Sequence, residues 1–177
     1  NGTMLTQAFN GLAVTATSHE DLLNIAAGAA GGKTVGLQGS GVVKLLDEHT
    51  KAHIDDGAQI NTAVVTHDLS QDVYLLASDN TDILSVAGAI GIGKTAGIGL
   101  AGDVSIINKE TLAYIGFSTN VKAQDTVSVL ARSNENIIGV AGSIAAGMTA
   151  GIGASAAVYL MDTTTKAYVK GAADDSK

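Results

Sequence analysis

Gly88 to Thr95 reads GAIGIGKT and fits G-x-x-x-x-G-K-[ST] letter for letter. In a P-loop such glycines let backbone N–H groups cradle phosphates at a helix N-terminus, and the Lys, here Lys94, reaches the outer phosphates. That chemistry would belong to an ATPase or GTPase. Gly97-Ile98-Gly99-Leu100-Ala101-Gly102 fits the dinucleotide fingerprint G-x-G-x-x-G. His49 and His53, with Asp47, Glu48, Asp55 and Asp56 nearby, are a donor set that could ligate a metal. Asp79, Asn80 and Asp82 offer oxygen ligands of the kind calcium takes.

All four candidates lie in or beside a repeat, and the repeat decides between readings. Val73 to Ile115 aligns without a gap on Val127 to Val169, at an offset of 54, with about 19 of 43 positions identical. A more diverged copy runs from Leu12 to Ile54, at an offset of 61 from the second. The extra seven residues fall in the connector, within Asn61 to Asp72. The units are therefore 12–54, 73–115 and 127–169, with connectors 55–72 and 116–126, in one repetitive domain covering 1–177.

Across the copies the chemistry dissolves. Met148 stands where Lys94 should be, and the first copy keeps Lys33 and Thr34 but has Ala27 for the first Gly. The last Gly of the fingerprint becomes Ala156, and in the first copy Gln38 replaces the middle one, leaving Gly36 without its G-x-G partner. His49 and His53 become Glu110 and Tyr114, then Thr164 and Tyr168. No complete calcium-loop spacing and no G-x-S-x-G elbow is present. The expectation is no catalytic, cofactor-binding or metal residue, no cofactor, and no enzyme.

The elements behind the motifs have period 2. Ile98, Leu100, Val104 and Ile106 fall on one face; Gly97, Gly99, Ala101, Asp103 and Ser105 fall on the other. A helix here would carry Gly at about 1 kcal/mol each relative to Ala. The aliphatic face is expected to form a continuous core once copies stack, and the small face to let another backbone layer approach. Polar tetrads read as tight turns: 18–21, 79–82 and 133–136, then 47–50, 108–111 and 162–165. Each unit would be a strand, a turn, two long Gly-rich strands joined near Gly93-Lys94-Thr95, another turn and a short strand. The expected fold is all-β, a parallel β-solenoid of three units of about 43 residues. Stacked antiparallel β-hairpins are the alternative.

Composition agrees. The 177 residues include 22 Gly, no Pro, no Cys and no Trp; hydrophobic residues reach 46%, aromatics 3%, charged residues 15%, and the net charge is -7. That is too apolar for a disordered tail. An acidic chain repels phosphate, so no nucleic-acid partner is expected. Zero Cys excludes disulfides, thiol catalysis and Cys-based metal sites. Asn1-Gly2-Thr3-Met4 does not open a signal peptide, and a chain starting on Asn reads as a piece of something longer.

Ile83 to Asn108 carries only Lys94 and Asp103 as charges, and two runs of about ten residues around a turn match a transmembrane β-hairpin in length. The second face is Gly and Ala rather than lumen-like, and aromatic girdles are missing, so membrane insertion is not expected.

The phrase VAG-x-I-x-x-G-x-TAGIG, closing in x-AY-[IV], resembles the repeats of filamentous-haemagglutinin-like adhesins, in particular the leukotoxin-type filamentous adhesins of Gram-negative bacteria. Val86-Ala87-Gly88, Thr95 to Gly99 and Ala113-Tyr114-Ile115 carry it, as do Val140-Ala141-Gly142, Thr149 to Gly153 and Ala167-Tyr168-Val169. The first copy departs from it at Gln38 and His53. The resemblance implies type V secretion, a secreted or cell-surface location, an extended β-rich stalk and attachment to a host-cell protein or glycan. Turns and connectors would carry recognition, with Asp55 to Asp72 the expected contact surface and neighbouring repeats of the same long chain the other partners. A membrane-active toxin segment is the second functional expectation; a nucleotide-binding enzyme using Gly88 to Thr95 is the third.

Overall fold

The computed structural model describes residues 11–62 and 71–171. The alternating pattern becomes strands β1 (Gly11–Gly32), β2 (Val35–Ile54), β3 (Gln59–Ile60), β4 (Asp72–Gly93), β5 (Ala96–Ile115), β6 (Asn120–Val121), β7 (Val127–Gly147) and β8 (Ala150–Val169). They form three parallel sheets in the orders β1-β4-β7, β2-β5-β8 and β3-β6. Leu12 lies opposite Val73, and Val73 opposite Val127; these are the offsets of 61 and 54 at which the copies align. The protein is an all-β parallel β-solenoid of three coils. The two arms of a coil belong to different sheets, so they are not antiparallel hairpins. The ladder even continues around the tip. Lys94 N–H donates to the Gly32 carbonyl at 3.2 Å, and Met148 N–H to the Lys94 carbonyl at 3.1 Å.

Two expectations are corrected. The polar tetrads are not turns; all six lie inside the long strands, whose alternation runs through them. Asn, Asp and Thr favour turns locally, but here each strand pairs residue by residue with the next coil, and that pairing prevails. Each coil is thus two long strands and a tip turn, and the first two close with the short strands β3 and β6. The second correction concerns the faces. Leu100, Val104 and Ile106 point outward and are exposed, whereas Gly97, Gly99, Ala101, Asp103 and Ser105 point inward.

The inner layer explains this inversion. At the base, Ile54, Val73, Leu75 and Ile115 pack between the sheets. Further along come Ala52, Ala77 and Ala113, and toward the tip Ala87, Ala89 and Ala101. At the tip even a methyl is excluded. One on Gly97 would meet the carbonyls of Ala146 and Gly91, and one on Gly36 the carbonyl of Ile92. The sheets converge until backbone meets backbone, so aliphatic side chains fit only outside. At the base corner Gly57 (φ 73°) and Ser118 (φ 51°) occupy equivalent positions in successive coils, both left-handed. Gly57 N–H donates to the Phe117 carbonyl at 2.8 Å.

This packing predicts opposite outcomes for two glycines on one strand. Gly97→Val drives a side chain into backbone and should lower unfolding free energy by about 3 kcal/mol in urea titrations. Gly102 faces open space, so Gly102→Ala should be neutral or stabilise by up to about 1 kcal/mol.

Candidate functional site

The tetrads that do not turn the chain build a polar layer between the sheets. Their inward residues are stacked by the register. Ser18, Asp79 and Ser133 form one row; Glu20, Thr81 and Glu135 the next; Glu48, Lys109 and Thr163 face them from the other sheet. Lys109 is the centre. Its side chain is 1% exposed and its ammonium donates to Asp79 Oδ1 and to Thr81 Oγ1. Glu135 lies 3.6 Å and Glu48 4.0 Å from the same nitrogen. Ser18 donates to Glu20 Oε1 at 2.6 Å, and Ser133 to Glu135.

Three carboxylates thus lie within 4.0 Å of one ammonium, with Glu20 feeling the same charge, and the excess of acids shifts protonation. Burial pushes the Glu48 carboxyl above its ordinary range, and the carboxylates of Glu20 and Asp79 push the same way. Burial also opposes ionisation of Glu20, but donation from Ser18 and Thr81, its contact with Glu48 and the charge of Lys109 leave it below the ordinary range.

A second polar row lies nearer the tip. Lys44 Nζ donates to Ser85 Oγ at 2.6 Å, and Tyr159 donates its phenol proton to Asp103. Burial and Asp103 push the Tyr159 phenol up to about 12, and burial pulls Lys44 down. Tyr159 fits between the sheets because Gly139 faces it; a methyl there would collide with the phenol oxygen.

The residues singled out by their chemistry are scattered. Gly88 to Gly93 lie in β4 and β5 begins at Ala96, so no helix follows Lys94 and Thr95. Thr95 N–H is committed to the Thr34 carbonyl at 2.9 Å rather than free for a phosphate. Gly97 and Gly99 face the interior while Gly102 faces out. Asp79 points inward but Asn80 and Asp82 outward, so the three cannot share an ion. Asn80 instead joins an outer polar ladder. Asn134 donates to its Oδ1 at 2.7 Å, and its Nδ2 lies 2.9 Å from His19 Nδ1.

His49 and His53 sit on the outer face of β2, exposed, with Glu48 turned away from them. His49 pairs with Glu110 at 3.1 Å, and His53 with Asp55 at 3.2 Å. His53 also stacks on Tyr114 at 5.0 Å, and Tyr114 on Tyr168 at 5.3 Å, so His53 and the Ala-Tyr-Ile/Val endings build an outer aromatic ladder. Asp56 accepts from Phe117 N–H at 2.7 Å. In the connector 55–72, residues 63–70 lie outside the described residues.

The outer faces hold the other conspicuous feature. From Val35 to Leu45, and at the matching positions of β5 and β8, the outward residues are aliphatic or small. Val43 is 78% and Leu45 75% exposed. Leu23, Ile25, Leu84, Ile90, Ile138, Val140 and Ile144 line the other sheet in the same way. Among the described residues, no helix is long and apolar enough to cross a membrane. Compared with known proteins, the chain matches no family model, no curated protein and no solved structure.

Two measurements probe the polar layer. Lys109→Met leaves Asp79 buried and uncompensated and should cost about 3–5 kcal/mol of unfolding free energy. The second is pH-dependent. A folded-state value raised above the unfolded 4.5 means that the Glu48 contribution is fully present below 4.5 and is lost as pH rises through the folded value. Glu20, lowered, acts oppositely and loses its contribution as pH falls below 4.5. In metal-free buffer the urea midpoint should rise as pH falls from neutral toward 4.5 and then drop; Glu48→Gln should flatten the upper limb.

Proposed function

We propose that this chain is a structural and adhesive segment of a large secreted or surface-exposed bacterial adhesin. Stacked coils serve as a stalk, and turns and connectors make the contacts with a host-cell protein or glycan. The observation that carries this reading is the in-register parallel pairing of β1-β4-β7 and β2-β5-β8. A ladder of this kind accepts a further coil of the same pattern at either end, at about 4.8 Å per coil. The resemblance of the VAG and TAGIG phrases to filamentous-haemagglutinin-like repeats supports the same reading, and with it an extracellular location after type V secretion. No catalytic role is part of this proposal.

A membrane-active segment is the second reading, and the outer faces favour it. Eleven residues from Val35 to Leu45 span about 36 Å, near the roughly 30 Å of a bilayer core. Asp47, Asn108 and Asp162 border that band at one end and the tip lysines at the other. Against it, the sheets are parallel and do not close into a barrel, so strand edges would meet lipid unsatisfied.

Tandem copies of the chain should form particles that lengthen by about 14 Å per copy at constant width in electron micrographs. Compact or irregular particles of every copy number would refute the stalk. The same material should release no dye from liposomes, since open-edged parallel sheets are not stable in hydrocarbon; release at micromolar protein would favour the second reading.

A further inference from the structure

We propose that Glu20, Glu48 and Asp79 form a divalent-cation site, with calcium the ion that fits them, clamped between the two sheets and between the first two coils. One potential ligand oxygen from each residue lies within 4.8 Å of the others. The residues come from three strands. Glu20 is on β1, Glu48 on β2 and Asp79 on β4, so one ion would join both sheets of the first coil to the second.

Acidity alone does not make a site; unsatisfied oxygens do. Among the described residues, both Glu48 oxygens and Asp79 Oδ2 are shut off from solvent without a hydrogen-bond partner. Asp79 is 2% exposed. Lys109 does not meet this need, because its ammonium sits at the other oxygen of Asp79, Oδ1, and at Thr81, and is 4.0 Å from Glu48. Ser18 has its one proton on Glu20. Glu20 already accepts from Ser18 and Thr81, and its carboxylate beside Glu48 adds repulsion that a cation would relieve. A buried carboxylate oxygen without a donor is costly and calls for a cation.

The chemistry selects the ion. All three ligands are carboxylates, with neither His nor Cys among them, which suits a hard cation. Oxygens within 4.8 Å of one another can share one ion, and calcium readily takes several protein carboxylates, whereas magnesium usually keeps its waters and binds through one or two. Charge agrees. Glu20, Glu48, Asp79 and Glu135 outnumber Lys109 by three negative charges, which a divalent ion would reduce to one. Glu20 and Glu48 lie in the first coil, at one end of the described stack and only partly buried, so an ion has a way in.

Isothermal titration of the 177-residue chain with calcium chloride near pH 7 tests this. The expected result is one calcium per chain with a Kd of about 0.1 mM, in the range of extracellular calcium modules. At about 10 mM calcium the melting temperature should rise by roughly 5–10 °C, and magnesium should bind at least about tenfold more weakly. Glu48→Gln removes a repelling charge without changing shape. It should fold at least as well as the parent without calcium, give the same β circular dichroism, and bind calcium at least about tenfold more weakly. Asp47→Asn, on the outer face, should bind as the parent does. A folded parent chain that takes up no stoichiometric calcium at about 10 mM, or a Glu48→Gln chain that binds as tightly as the parent, overturns the site.

Discussion

The distance between the two sheets governs the rest of this structure. Packed sheets usually stand about 10 Å apart, with side chains filling the gap. Near the tip the gap has closed so far that Gly36, Gly91, Gly97 and Gly99 meet carbonyls of the opposite strand where a methyl would be. Toward the base it opens to alanines, then to Ile83, Ile107 and the polar layer around Lys109, and past Ala52, Ala77 and Ala113 to Val73, Leu75, Ile54 and Ile115. A coil is therefore a wedge. The Gly-rich tip cannot hold aliphatic side chains inside, so Leu, Ile and Val there face outward, while Ile83 and Ile107, farther from the tip, turn inward. The inward glycines near the tip and the scarcity of aromatics follow from the wedge.

Stacking in register adds a second constraint. It places each side chain over its equivalent in the next coil. That favours Asn, which both donates and accepts, and stacked rings; Asn80 with Asn134 and Tyr114 with Tyr168 are such pairs. It penalises identical charges. The interior rows show the response. Glu20 and Glu135 are separated by Thr81, and Glu48 lies against Lys109 rather than a second acid. Copies that match well in the Gly-rich strands thus diverge in the polar layer, because identity there would stack buried charge on like charge.

These constraints explain which parts of the fold could be read from the residues. Alternation and repeat offset were both legible, since strand period is local and the offset equals the register. The facing was not. Calling the aliphatic side inner assumes a gap wide enough to hold it, and the width depends on how closely two distant strands approach. The TAGIG phrase held the clue, because alternate glycines on one face suit backbone contact better than solvent. The tetrads misled for a related reason. Asn, Asp and Thr report local turn preference, while six long strands are held by pairing across 54 or 61 residues. The polar cluster was out of reach for the same reason. Glu20, Glu48, Asp79 and Glu135 sit on four strands, and only the register joins them to Lys109.

The outer faces follow from the same geometry. Sheets of parallel strands are almost always covered on both sides, and their strands read as nearly continuous apolar runs. Here each sheet covers one face of the other, and the second faces, with Ile25 66% and Val43 78% exposed, keep the apolar character of covered ones. The polar stretch beyond Asp47 and Asp21, with its Asn ladder, has the character of a solvated face. Each coil is thus amphipathic along its length, not only across its thickness. Because a strand of about 20 residues is near 65 Å long while a coil adds only about 4.8 Å of height, stacking multiplies lateral surface faster than reach. Each added coil would extend both the apolar and the polar band by one row, so the contrast between the two halves grows with the stack.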